Sequence, residues 1–215
     1  MNKAWWTIAL FAAMALAQWW VPVDMITGSN RILENGTPMK FRCAPVEPND
    51  PFRGKYIVLD FDISRFDMDT SHGFERGQEV YISFEKDSLG FDRIKEINAD
   101  PEKLKGPYLK TTIDYINRNN SFVLIDQMDS TDVAVGNLNK EEMDEISFDL
   151  PFRRFYLEET KAPVAEDLYR TGISDTTGRT YGLVYLLNGE ARIKDVIIRD
   201  TSIMVRLRGQ QAPDR

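Results

Sequence analysis

The chain has 215 residues, 42% apolar and 28% charged, with 27 Lys and Arg against 34 Asp and Glu for a net charge of −7. That balance excludes a disordered chain and a multi-pass membrane protein, and its negative surface repels phosphate backbones, so the reading includes no nucleic-acid partner. A single cysteine, Cys43, excludes an internal disulfide and reads as a small buried hydrophobe.

The first element is apolar. From Ala4 to Val21 only Thr7 and Gln18 are polar, and as a helix this run spans roughly 27 Å, the thickness of bilayer hydrocarbon. Trp5-Trp6 and Trp19-Trp20 stand at its two ends, where indole rings favour the membrane interface. The expectation is a retained anchor over residues 1–26, in contact with the lipid bilayer through Ala4–Val21. Lys3 stays on the cytoplasmic side and the C-terminal domain lies outside the inner membrane. The alternative is a signal peptide cleaved after Ala15-Leu16-Ala17, which releases a secreted protein.

Residues 27–38, "TGSNRILENGTP", are rich in turn formers and read as a linker. From Met39 the apolar pattern has period two. In "YIVLDFDIS", Ile57, Leu59, Phe61 and Ile63 fall on one face of a half-buried strand, with Tyr56, Val58, Asp60 and Asp62 on the other. Strands of the same style are expected at Glu79–Lys86, Phe91–Ile97, Tyr108–Ile116, Ser121–Gln127, Glu145–Leu150 and Arg153–Leu157. Helical spacing is confined to Ala162–Arg170, with one further turn possible at "NKEEMDEI". Asn188-Gly189 between two apolar arms predicts a tight hairpin, and "TSIMVRLRG" predicts a last strand. The fold expectation is an all-β or β-dominated α+β domain over residues 39–208. It is a barrel or sandwich of about nine or ten short strands with one or two short helices, preceded by one N-terminal transmembrane helix and followed by a flexible tail at 209–215.

Pro45-Val46-Glu47-Pro48, Asp50 and then Phe52-Arg53-Gly54-Lys55-Tyr56-Ile57-Val58-Leu59-Asp60-Phe61 resemble the signature of the GDYXXLXY family of bacterial membrane-anchored proteins. Lys55 stands where that signature has Asp, and Phe61 where it has the final Tyr. "GQEVYISFEKD", Arg154-Phe155-Tyr156 with Glu159 and Glu166, and "GLVYLLNGEARIKDVIIRD" follow in the order of the family's later segments. The resemblance implies one amino-terminal membrane helix, an exported domain, no established activity and a multi-pass membrane protein as companion. Read physically, the prolines stiffen an extended approach, Gly54 turns the chain into the strand, and Arg53 can clamp that turn through Asp50, Asp60 or Asp62. The candidate binding or motif residues are therefore Arg53, Gly54, Tyr56, Asp62, Arg154, Glu159 and Glu166.

No catalytic set is assignable. His72 is the only histidine and reads as a solvent-exposed loop residue, without a nucleophile elbow nearby. One His and one Cys cannot make a zinc site, and the acidic runs lack calcium-loop spacing; no metal or cofactor is assigned. Ser83 and Lys86 lie three apart in a strand and point to opposite faces. Glu159 and Glu166 remain as an alternative, the acid/base pair of a membrane-tethered hydrolase, although Glu166 also stands four residues before Arg170, where it supports a helix. The leading expectation is an anchored extracytoplasmic binding or accessory module for another envelope or multi-pass membrane protein.

Overall fold

The computed structural model describes residues 3–44, 56–121, 142–158, 160–173 and 180–210. The expected strand at Ser121–Gln127 lies outside these residues from position 122 onward.

Helix α1 runs over Lys3–Asn35, 33 residues with Pro22 inside it, about 50 Å at 1.5 Å per residue. It is long and apolar enough to cross a membrane. Its apolar side chains face outward, with Trp5, Leu16 and Trp20 about three-quarters exposed. The linker expected from Thr27 is mostly helix. Thr27, Gly28, Ser29 and Asn30 are weak helix formers, yet tertiary packing overrides propensity. Here Ile32 is buried, and α1 lies against the strands that bear the closing hairpin. The Gly36 N–H closes the last turn on the Ile32 carbonyl at 2.9 Å. A Cβ at Gly36 would stand 2.4 Å from that carbonyl, so only glycine fits the junction.

One residue later the first strand begins. Strands β1 (Thr37–Ala44), β2 (Tyr56–Val58) and β3 (Asp60–Phe61) are followed by a 3-10 turn at Asp62–Ser64 and by β4 (Arg65–Asp69), β5 (Glu79–Lys86) and β6 (Asp92–Asn98). Strands β7 (Tyr108–Ser121), β8 (Glu142–Phe148) and β9 (Arg154–Tyr156) lead to helix α2 (Ala162–Ile173). The chain closes with β10 (Thr180–Leu187), β11 (Glu190–Ile198), β12 (Thr201–Ser202) and α3 (Ile203–Gln210). One sheet has the order β12-β11-β10-β1-β3, a second β4-β8-β7-β5-β6, and β2 pairs with β9 alone. The two large sheets meet where Lys110 N–H donates to the Gly189 carbonyl at 2.8 Å and β1 lies against β6. The result is a nearly closed barrel-like sheet, so the β-dominated expectation holds.

The period-two burial of the motif holds, with Ile57, Leu59, Phe61 and Ile63 all buried, but the expected single strand is corrected: it breaks at Leu59 into β2, paired with β9, and β3, paired with β1, and its end, Asp62–Ser64, is a 3-10 turn. Phe41 is the centre of the core, stacked on Phe152 at 5.7 Å and in contact with Phe84 at 5.0 Å. Asn188 (φ 50°) and Gly189 (φ 85°) both take the left-handed backbone of a two-residue hairpin turn, joining Leu187 to Glu190. Helix α2 forms where expected and buries Ala165 and Tyr169.

Three local expectations are corrected. Glu142–Ile146, read as one end of a helical turn, is β8, because Asp144 and Ile146 alternate inward. "TSIMVRLRG" is only two residues of strand before α3. Arg199 and Asp200 turn the chain at φ 49° and 62°, Ser202 Oγ accepts the Met204 N–H at 3.2 Å as an N-cap, and Ile203 and Leu207, four apart, are both buried. The helix continues to Gln210, inside the expected tail.

Candidate functional site

The ladder between β2 and β9 builds the site from alternation alone. Tyr56 faces Tyr156, Ile57 faces Phe155 and Val58 faces Arg154. Ile57 and Phe155 point into the core, so Tyr56, Val58, Arg154 and Tyr156 share the outward face. The two tyrosine rings lie 5.6 Å apart, and the Arg154 guanidinium sits 5.4 Å from the centre of the Tyr56 ring. Tyr156 is 66% exposed. This face and the turn through Asp149, Leu150, Pro151 and Arg153 line a cleft of about 450 Å³.

Arg153 ties the cleft to the fold. Its carbonyl accepts the Leu59 N–H at 2.8 Å and its guanidinium lies 3.8 Å from Asp60, while its buried Nε has no hydrogen-bond partner. Asp60 also accepts a 2.8 Å bond from the Ser64 hydroxyl, which in turn accepts the Phe61 N–H. Behind this wall, Tyr169 of α2 accepts the Asp60 N–H at 3.4 Å and meets Cys43. Burial pushes the Cys43 thiol up to about 12, against the hydrogen bond with Tyr169, so it is a protonated packing residue.

A second cleft, of about 430 Å³, opens elsewhere on the barrel. Arg42 pairs with Asp87 at 2.5 Å and lies over the Phe91 ring at 4.6 Å. Asp92, its side chain 4% exposed, accepts from Lys86 Nζ at 3.0 and 3.1 Å and from the Lys40 N–H at 2.8 Å. Partial desolvation pushes the Asp62 carboxyl up, against the lowering pull of Arg42.

The expected site residues therefore separate. Tyr56 and Arg154 come together in the first cleft, whereas Asp62 lines the second. Glu166 sits on α2 with Arg170 at 3.4 Å, the i to i+4 pairing. Arg53, Gly54 and Glu159 lie outside the described residues. The residues missed were Tyr156 and Arg153; the "RFY" alternation placed Tyr156 beside Arg154, but the cross-strand partner Tyr56 could not be read from it.

His72 is corrected from a solvent-exposed loop residue to one whose side chain is tucked against β8. Its side chain is 4% exposed, with Nε2 3.2 Å from Asp144 Oδ2 and the Phe74 N–H donating to Nδ1 at 2.8 Å. Because Nδ1 accepts, the ring proton sits on Nε2 and points to the carboxylate. The pair pins the 70–78 loop to β8. Among the described residues no group of three or more His, Cys, Asp or Glu side chains is placed to hold a metal ion.

No curated protein and no solved structure matches this chain. Residues 18–196 match the family described as GDYXXLXY protein, from the end of the apolar segment through β11. With the match covering α1's second half, both clefts and the closing hairpin, the chain belongs to the GDYXXLXY family.

Proposed function

We propose that this protein is a single-pass membrane protein whose barrel domain stands on the extracytoplasmic side and works by binding another envelope or multi-pass membrane protein. The observation that carries this reading is α1, whose apolar side chains are exposed along the bilayer-spanning length while its last turn packs on the barrel. A helix that finds no cover in its own domain finds it in lipid. The core is filled by interlocking phenylalanines, and an outward-facing cleft carries Tyr and Arg side chains, the composition of protein-binding hot spots. Binding is the function that such a surface supports best.

The experiment is in-membrane cross-linking of the full chain, followed by detergent extraction and identification of what co-purifies. A reproducible membrane or envelope protein is the expected product. Recovery of the chain from the soluble cytosolic fraction, or turnover of a small substrate with no partner captured, would overturn the proposal.

A further inference from the structure

An unpaired strand edge is a row of main-chain donors and acceptors, and folds shorten, cover or bulge such edges to keep other chains off them. Among the described residues the β12 and β3 edges of the first sheet are two residues long, and the strands of the β2–β9 pair are three. In the second sheet the β6 edge is covered: β1 lies against it and the Lys40 N–H donates to the Asp92 side chain. Strand β4, the opposite edge, has none of these protections. Its five residues pair with β8 in unbroken register, from Arg65 against Ser147 to Asp69 against Met143. Among the described residues nothing but β8 bonds the main chain of residues 66–68. Arg65 and Phe66 line the cleft of about 430 Å³ together with Arg93 and Ile94 of β6, so open space lies beside the edge.

We infer that β4 takes an extended segment of a protein partner as an added antiparallel strand, and that the β4 side chains select its sequence. The inference deepens the binding reading above and rests on it. Phe66 and Met68 are half-buried against the core, so the residues facing them are apolar. Arg65, Asp67 and Asp69 are exposed on the outward face. Asp67 stands directly opposite Glu145, and among the described residues neither carboxylate is in an ion pair or hydrogen bond. Like charges so placed destabilise an antiparallel pair. A lysine on the free side of Asp67 offsets that repulsion, and a glutamate suits Arg65. The segment therefore alternates, with a cation opposite Asp67, apolar residues opposite Met68 and Phe66, and an acid opposite Arg65. A second copy of β4 paired about the same centre sets Asp67 against Asp67, which the same repulsion disfavours.

The test titrates the full chain in nanodiscs with acetyl-Thr-Val-Lys-Val-Glu-amide and with its charge-swapped counterpart, acetyl-Thr-Val-Glu-Val-Lys-amide, following the backbone amides of residues 65–69 by NMR. The first peptide should shift those amides and bind about tenfold more tightly than the second, since two cross-strand pairs change sign. Alternate N–H groups of an added strand face its neighbour. N-methylation of the lysine in one peptide and of both valines in another should therefore abolish binding in one case and spare it in the other. Asp67→Lys should invert the preference between the two charge patterns while melting no lower than the parent, because it removes the repulsion from Glu145. Equal affinity for the two patterns, a like effect of the two methylations, or an Asp67→Lys protein that keeps the parent's preference would overturn the inference. So would self-association of the full chain that the first peptide dissolves, which assigns the edge to a second copy. If in-membrane cross-linking captures a partner as efficiently from Asp67→Lys as from the parent, the binding function survives and this edge alone fails.

Discussion

Two clefts of nearly equal size, about 450 and 430 Å³, lie on the same barrel and hold similar residue types with different partners. In the Arg42 cleft the key cation and the buried carboxylate are both engaged: Arg42 with Asp87, and Asp92 with Lys86 and a backbone N–H. In the Tyr56 cleft Arg153 pairs with Asp60 at 3.8 Å, whereas among the described residues Arg154 and Asp149 have no ionic partner. A charge that the fold has neutralised is committed to holding the fold, and removing its partner exposes the cost. One left without a partner contributes little to stability and is available to a ligand. Cavity volume did not separate these cases; the bookkeeping of polar partners did.

The contrast is open to breaking by mutation. The largest effect should come from Asp92→Ala, which strips acceptors from Lys86 and the Lys40 N–H at a buried position; a loss of about 2–3 kcal/mol in chemical denaturation is expected. Arg42→Ala removes a partly buried ion pair and the guanidinium packing on Phe91, and should cost about 1 kcal/mol by the same measurement. At Asp62 the sign reverses. Its folded-state carboxyl is pushed above the ordinary value of 3.8, so the ionised form weighs against folding above the folded value, and that cost fades as pH falls towards 3.8. Asp62→Asn should therefore melt slightly higher than the parent at pH 7, with the difference closing on acidification. Smallest of all, Arg154→Ala and Tyr156→Ser should change stability by no more than about 0.5 kcal/mol. A large loss there would place the Tyr56 cleft in the same structural class as the other.

Much of the barrel could be read from residue order, because its strands bury one face and alternate accordingly. Ile57 to Ile63 and the Asn188-Gly189 turn were legible for that reason. The failures share a different cause. Thr27–Asn35 looks like a linker until Ile32 finds its place against the barrel, and Thr201–Gly209 looks like a strand until the turn at Arg199 and Asp200 lets Ile203 and Leu207 face inward together. Both are settled by what lies opposite. The same holds for the candidate site: Tyr56 and Arg154 are almost a hundred positions apart, and only the register of β2 on β9 makes them neighbours. His72 was misjudged in the same way, since Asp144, which buries it, comes from a distant strand.

The one-residue joint at Gly36 has a mechanical side. With α1 seated through Ile32 on the strands of the closing hairpin, and no slack between its last turn and Thr37, the rod and the barrel behave as a crank and its handle. In the membrane setting proposed above, a roll or lean imposed on the rod would swing the Tyr56 cleft through a corresponding arc. A Gly-Ser spacer inserted at position 36 would uncouple the two while leaving each intact.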